Sequence, residues 1–277
     1  MQDLCITALI ENTAASQKLE SEHGLSLWIN YANRSILFDT GQSDLLLKNA
    51  EILNIDLASA DAIVLSHGHY DHTGGLASVL EIAPKAKIYL HPAAVELKLS
   101  GNGSSVRPIG MSDAARAAIQ NRRVIWTVAP ARLLSGISVT GQIPRINDFE
   151  DVGGAFFNDN DCLKRDELLD DQALFIESSR GLIVVLGCAH SGVVNTLNYI
   201  SKLTGKKKIH ALIGGMHLVN ANSKRIENTL KTFEKFEIQK IIPLHCTGAE
   251  AVKVFNNVFA DECLSLGAGG KICFNGL

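Results

Sequence analysis

Five apolar runs in this chain stop at a histidine or an aspartate, and that pattern narrows what the chain can fold into. They end as LFDTG (37–41), LSHGH (65–69), LGCAH (186–190), IGGMH (213–217) and PLHC (243–246). A short, continuously apolar run reads as a strand buried on both faces. A polar group at its end then sits on a loop held by a rigid scaffold, where α/β proteins place ligands. The spacing predicts strands over 4–10, 25–31, 35–38, 62–65, 87–90, 124–128, 137–140, 174–177, 182–186, 210–213, 240–243 and 271–274. Helical spacing fills the gaps at 45–53, 74–82, 193–203, 226–236 and 249–259. Strands alternating with helices in two halves predict an α/β fold with sheets covered by helices. Two stretches break the rhythm. Residues 100–122 contain the loop SGNGSS and a short helix at 114–120 that Ser112-Asp113 could cap. Residues 141–171 are rich in Gly, Asp and Asn. Long irregular stretches of this kind cover sites or move.

A length of 277 residues suits a single α/β domain spanning 1–277, with the two irregular stretches as insertions over the site. The net charge of −3 gives no reason to expect nucleic acid or an anionic membrane as partner. No apolar run is long enough to span a bilayer, and the start, MQDLCITALIEN, lacks the pattern of a signal peptide. Cys5, Cys162, Cys188, Cys246, Cys263 and Cys273 are scattered without a CxxC pair. They read as thiols in a reducing, cytoplasmic setting rather than as a disulfide framework.

The densest chemistry is SHGHYDHTGG at 66–75, where three of nine histidines and an aspartate fall within six residues. Imidazole and carboxylate are ligands for zinc, iron or manganese. His67 and His69, two apart on extended backbone, point the same way and can meet one cation. Asp71 and His72, past a bend, can meet a second. His190 and His245 end strands as His67 does and are candidate ligands. His217 is a candidate for an active-site role other than ligation. Asp39 is placed to accept a ligating histidine's second N–H, with Ser66 as a further supporting group.

HGHYDH resembles the HxHxDH signature of the metallo-β-lactamase superfamily, and LFDTG resembles the motif that precedes it. The resemblance covers essentially the whole chain. It implies an αββα sandwich of two mixed sheets flanked by helices, with metals at the sheet edges and His245 as the last histidine ligand. GLIVVLGCAHSGVVNTL, ALIGGMHL and IIPLHCTG resemble a subgroup named for a pterin-transferring synthase of methanopterin biosynthesis. Two departures from the superfamily pattern stand out. No GHTPG-like segment occurs between 100 and 170, so His190 is expected to ligate in its place. Cys188 stands where a bridging aspartate is usual.

The resemblance and the residues together lead to a metal-dependent hydrolase of a small anionic substrate. It would use two divalent cations, zinc first, with iron or manganese as alternatives. Asp71 would handle the water's proton and His217 would donate to the oxyanion or leaving group. A pterin transferase releasing diphosphate is the alternative, for which Arg107, Arg145, Phe149 and Phe156 would supply basic and stacking groups. A metal-dependent binding or sensor protein without catalysis is the third reading. The helix starts after Ser191-Gly192 and Thr247-Gly248 are candidate anion sites.

Overall fold

The computed structural model describes residues 3–101, 105–120 and 122–277. The middle of the expected SGNGSS loop and the first two residues of the N-terminal reading lie outside them. In chain order the strands are β1 (Leu4–Ile10), β2 (Ser26–Tyr31), β3 (Arg34–Phe38), β4 (Ala62–Val64), β5 (Lys87–Leu90), β6 (Leu99–Gly101), β7 (Val106–Pro108) and β8 (Val124–Trp126). They continue as β9 (Ala131–Leu134), β10 (Ile137–Val139), β11 (Phe156–Phe157), β12 (Leu174–Ser178), β13 (Gly181–Leu186), β14 (Ile209–Gly214), β15 (Ile241–Pro243) and β16 (Lys271–Phe274). The α-helices are α1 (Leu45–Ile52), α2 (Tyr70–Thr73), α3 (Leu76–Ile82), α4 (Asp113–Gln120), α5 (Val193–Thr204), α6 (Ser223–Lys235) and α7 (Ala249–Phe259).

The chain forms two compact units. The first comprises Met1–Trp126, Ala155–Asp166 and Leu266–Leu277; the second comprises Thr127–Gly154 and Glu167–Ser265. In the first, a seven-stranded sheet runs β16-β1-β2-β3-β4-β5-β8. The hairpin strands β1, β2 and β3 are antiparallel, while β3, β4, β5 and β8 are parallel. Leu46 and Ala50 of α1, Leu76, Val79 and Leu80 of α3, and Ala115 and Ile119 of α4 bury against Leu37, Ile63 and Ile88 of the strands. Their spacing of three and four residues gives each helix one apolar face, and this burial holds the helix in place.

In the second unit a six-stranded sheet runs β15-β14-β13-β12-β10-β9, with β13, β14 and β15 parallel. Val193, Val194, Leu197 and Ile200 of α5, Phe233 of α6 and Phe255 of α7 form its core. The Phe233 and Phe255 rings stand 5.3 Å apart. Helix α5 ends where Gly205 takes φ +70°, a conformation glycine adopts without penalty. Helix α6 starts at Asn222, whose side chain accepts from the Arg225 backbone N–H.

Both units use parallel neighbours to put loops together. Phe38 pairs with Val64, and Val64 with Tyr89, so β3, β4 and β5 end level. Leu186 pairs with Gly214, and Gly214 with Pro243, so β13, β14 and β15 do the same.

The structure adds four short strands not expected from the sequence: β6, β7, β9 and β11. Phe156 and Phe157 pair with Ser100 and Leu99, partners more than fifty residues away, so no local pattern announces them. The cysteine expectation also needs correcting. Cys5 and Cys273 form a disulfide across the β1–β16 ladder, where they are directly opposed. A separation of 268 residues hides that pairing from any spacing rule. Cys162, Cys188, Cys246 and Cys263 are not in a disulfide. Among the described residues, no helix is long and apolar enough to cross a membrane.

Candidate functional site

In the first unit the site grows from the level ends of β3 and β4. Asp39 follows β3 and turns out of it with φ +59°, a left-handed conformation uncommon for a non-glycine residue. Its carboxylate is fully buried. Oδ1 accepts the Ser66 backbone N–H at 2.6 Å. Oδ2 accepts the Ser66 hydroxyl at 2.7 Å and faces Nδ1 of His72 at 2.7 Å. The Ser66 hydroxyl lies 2.9 Å from Nδ1 of His67. A carboxylate accepts only, so His72 carries its proton on Nδ1. Ser66 spends its own proton on Asp39, so it accepts from Nδ1–H of His67. One aspartate thus fixes both imidazoles in the tautomer that leaves Nε2 as an electron-pair donor.

Those donors converge. Nε2 of His67 lies 3.0 Å from Nδ1 of His69, and the rings of His67 and His72 are 4.3 Å apart. Nε2 of His72 lies 3.9 Å from Oδ2 of Asp71. Burial drives the pKa of His69 down to about 3 against the pull of Asp71, so this imidazole is neutral, the form that ligates metal. Buried imidazoles meeting nitrogen to nitrogen beside a carboxylate fit a divalent cation. The tight loop needs Gly68, because a Cβ there would sit 2.1 Å from the Ala94 carbonyl oxygen. The glycine therefore serves a close approach rather than an unusual turn.

Further neighbours surround these residues in the first unit. Nε2 of the exposed His23 lies 3.2 Å from Oδ2 of Asp71. Lys98, 1% exposed, donates to Oδ2 of Asp166 at 2.9 Å, and both charges act on His69. The Phe156 ring stands 5.2 Å from that of His69. His91 is occupied locally, with Nδ1 accepting from the Ala93 N–H. Arg107 lines a separate cavity of about 380 Å³ with Ser100, Gly101, Ser105 and Ala155.

In the second unit the loops after β13, β14 and β15 bring Cys188, His190, His217, His245 and Cys246 together. Ala189, His217 and His245 have φ of +54°, +46° and +48°. Three left-handed non-glycine residues, each just past a strand end, mark stored backbone strain of the sort found at functional sites. Donor atoms of Cys188, His190 and His217 lie within 4.8 Å of one another, as do those of Cys188, His245 and Cys246. Burial opposes the charged form of His217, but the hydrogen bond and charge of Cys246, with the Gly153 carbonyl, hold its pKa above the usual value. Burial likewise opposes the Cys246 thiolate, and contacts with Cys188, His217 and His245 hold its pKa well below the usual value.

The irregular stretch 141–171 acts here as a brace. Glu150 accepts from the Val194 and Asn195 backbone N–H groups at 2.9 Å each and from Nδ2 of Asn147 at 2.8 Å. Asp151 pairs with Arg225 of α6 at 2.9 Å. The Val152 carbonyl accepts from Nδ1 of His190 at 2.7 Å, and the Gly153 carbonyl from Nε2 of His217 at 3.2 Å. Nε2 of His190 is thereby left as its donor. Asp171, whose pKa burial raises to about 6, accepts the Ser191 N–H and steadies the same loop.

One expectation changes. The start of α5 is not an open anion site, because the Glu150 carboxylate already fills it. Arg145 also serves the fold, its guanidinium donating to the carbonyls of His190 and Glu167. His210 is held by Oε1 of Gln239 and stands apart from the cluster. We expect Glu150→Ala to destabilise the protein by about 1–3 kcal/mol, since it leaves buried donors unmet at the start of α5. A urea titration should show the lower midpoint with an unchanged slope.

A family model described as the metallo-beta-lactamase superfamily matches residues 22–157. A protein of Methanocaldococcus jannaschii named 7,8-dihydropterin-6-methyl-4-(beta-D-ribofuranosyl)-aminobenzene-5'-phosphate synthase is 34% identical, covering 92% of this chain and 90% of its own length. An uncharacterized protein of the same organism is 32% identical, covering 89% of this chain and 92% of its own. A crystal structure described as a metal-dependent hydrolase of the beta-lactamase superfamily aligns with a TM-score of 0.85 and 29% identity, over 97% of this chain and 98% of that one.

Proposed function

The chain belongs to the metallo-β-lactamase superfamily, and from that premise we propose that it is a metal-dependent hydrolase of a small anionic substrate. The observation that carries this reading is the single aspartate, Asp39, that sets two histidine tautomers at once. Structural roles alone do not call for a buried carboxylate that aims two Nε2 atoms outward. His67, His69, Asp71 and His72 are the proposed ligands in the first unit, and His190 and His245 in the second. Two cations are expected, with zinc the first candidate. A bound divalent cation supplies an acidified water and a Lewis acid for the substrate oxygen.

The chain's own groups do the rest. Asp71 takes up the proton released by the attacking water on Oδ2, where His23 lies within 3.2 Å to stabilise or relay it. His217, kept more basic than an ordinary imidazole, delivers a proton to the leaving group.

A pterin-transferring synthase is the second reading. The 34% identity to the archaeal synthase favours it, and Phe156 offers an aromatic face beside His69. The use of Arg145 to hold the His190 and Glu167 carbonyls weighs against it. The two separate in one assay. Metal-loaded protein is given a hydroxymethylpterin diphosphate with and without an aromatic amine acceptor, beside a panel of phosphoesters and lactones. Turnover of any of these without acceptor, with oxygen-18 from water in the product, supports the hydrolase. Diphosphate release that requires the acceptor would replace it with the synthase.

A further inference from the structure

We propose that the second unit holds a sulfur-bearing site for a soft divalent cation, with Cys188, His245 and Cys246 as its ligands. The inference deepens the metal reading above and rests on it for His245; the cysteines are what it adds.

The placement follows from the sheet. Strand β14 lies between β13 and β15, so the loop carrying Cys188 and the loop carrying His245-Cys246 are separated by the β14 loop. They meet because that intervening loop is stripped to glycine. A Cβ at Gly215 would lie 2.7 Å from Sγ of Cys246 and 3.4 Å from Cα of Cys188. A side chain there would press on the Cys246 sulfur and, at 2.4 Å, on the Gly187 carbonyl oxygen beside Cys188. His245 takes φ +48°, so the backbone turns sharply where it presents His245 and Cys246. The outcome is two sulfurs and an imidazole nitrogen within 4.8 Å of one another. Thr247 ties the arrangement down, its hydroxyl accepting from the Met216 N–H and donating to the Leu244 carbonyl.

Two thiolates and one imidazole make a set that zinc takes in tetrahedral geometry, with the fourth position left for water or substrate. Soft sulfur ligands also set the preference. Zinc, cadmium and cobalt bind in favour of magnesium or manganese, which call for oxygen. The chain would then differ from a purely histidine-carboxylate centre in which metal it retains. The sets Cys188–His190–His217 and Cys188–His245–Cys246 share one sulfur. Cys188 is therefore the residue whose loss is felt most widely.

Cobalt titration of the chelator-stripped full-length protein tests this. Wild type should show visible ligand-field bands together with a near-ultraviolet sulfur-to-cobalt charge-transfer band. Cys246→Ser should lose a large part of the charge-transfer band and bind zinc at least about tenfold more weakly in competition with a chromophoric chelator. A Cys188→Ser/Cys246→Ser double variant should lose the band while keeping ligand-field absorption. Circular dichroism melting shows that each variant folds, and the half-buried Cys246→Ser alone decides the matter if Cys188→Ser does not. Ligand-field bands without any charge-transfer band in wild type would overturn the sulfur site and leave the metal hydrolase standing. No cobalt absorption at all would overturn both.

Discussion

Replacing His69 with alanine should strip most of the bound metal and lower turnover by about three orders of magnitude. The metal supplies several kcal/mol of transition-state stabilisation, and each 1.36 kcal/mol is a factor of ten. His69 is the place to cut because its neutrality is enforced by burial. Its pKa of about 3 keeps the ring unprotonated throughout the range in which such a protein is assayed. Metal content by plasma mass spectrometry should fall while the melting temperature of the stripped protein stays close to that of stripped wild type. Unchanged metal content in this variant would remove the His67–His69 pair from the site.

Asp39→Ala should act differently and cost more in stability. The carboxylate is fully buried and meets the Ser66 N–H, the Ser66 hydroxyl and His72. Alanine would leave these donors without an acceptor in an apolar setting. Breaking such a network costs about 3–5 kcal/mol. Released from Asp39, the His67 and His72 rings lose their fixed tautomers, and metal affinity should drop by about 10–100-fold. Asp39→Asn keeps the volume, but its amide turns a donor towards donors, so most of the loss should remain. Denaturant midpoints of both variants, with and without added zinc, check the two effects separately. Two variants as stable as wild type would show that the Asp39 network does not hold the loop.

The parts of the site that sequence made legible are the local ones. Asp39, His67, His69, Asp71 and His72 lie in two short segments, and chemistry at close spacing needs no tertiary knowledge to be noticed. The strands were readable for the same reason: an apolar run such as 182–186 signals itself through consecutive residues. The braces were not. Glu150 reaches α5 across 44 residues, and Lys98 reaches Asp166 across 68. Neither acidic partner sits in a periodic pattern, because what fixes it is a fold that sequence order does not display. The same holds for Cys246. Its place beside His245 singles it out in the sequence, but what it meets shows only when β13, β14 and β15 are seen to end level. Gly215 carried a legible hint, since paired glycines suggest close approach, but not what approaches.

The Cys5–Cys273 bond turns nearly the whole chain into a ring. Threading machines that degrade proteins grip one end and pull a single strand through a narrow pore. Here any pull that reaches the β1–β16 ladder meets a doubled chain. Until a reductant opens the bond, the sheet cannot be drawn out one strand at a time. Its lifetime in a cell would then be set by local thiol chemistry as much as by the depth of its folding well.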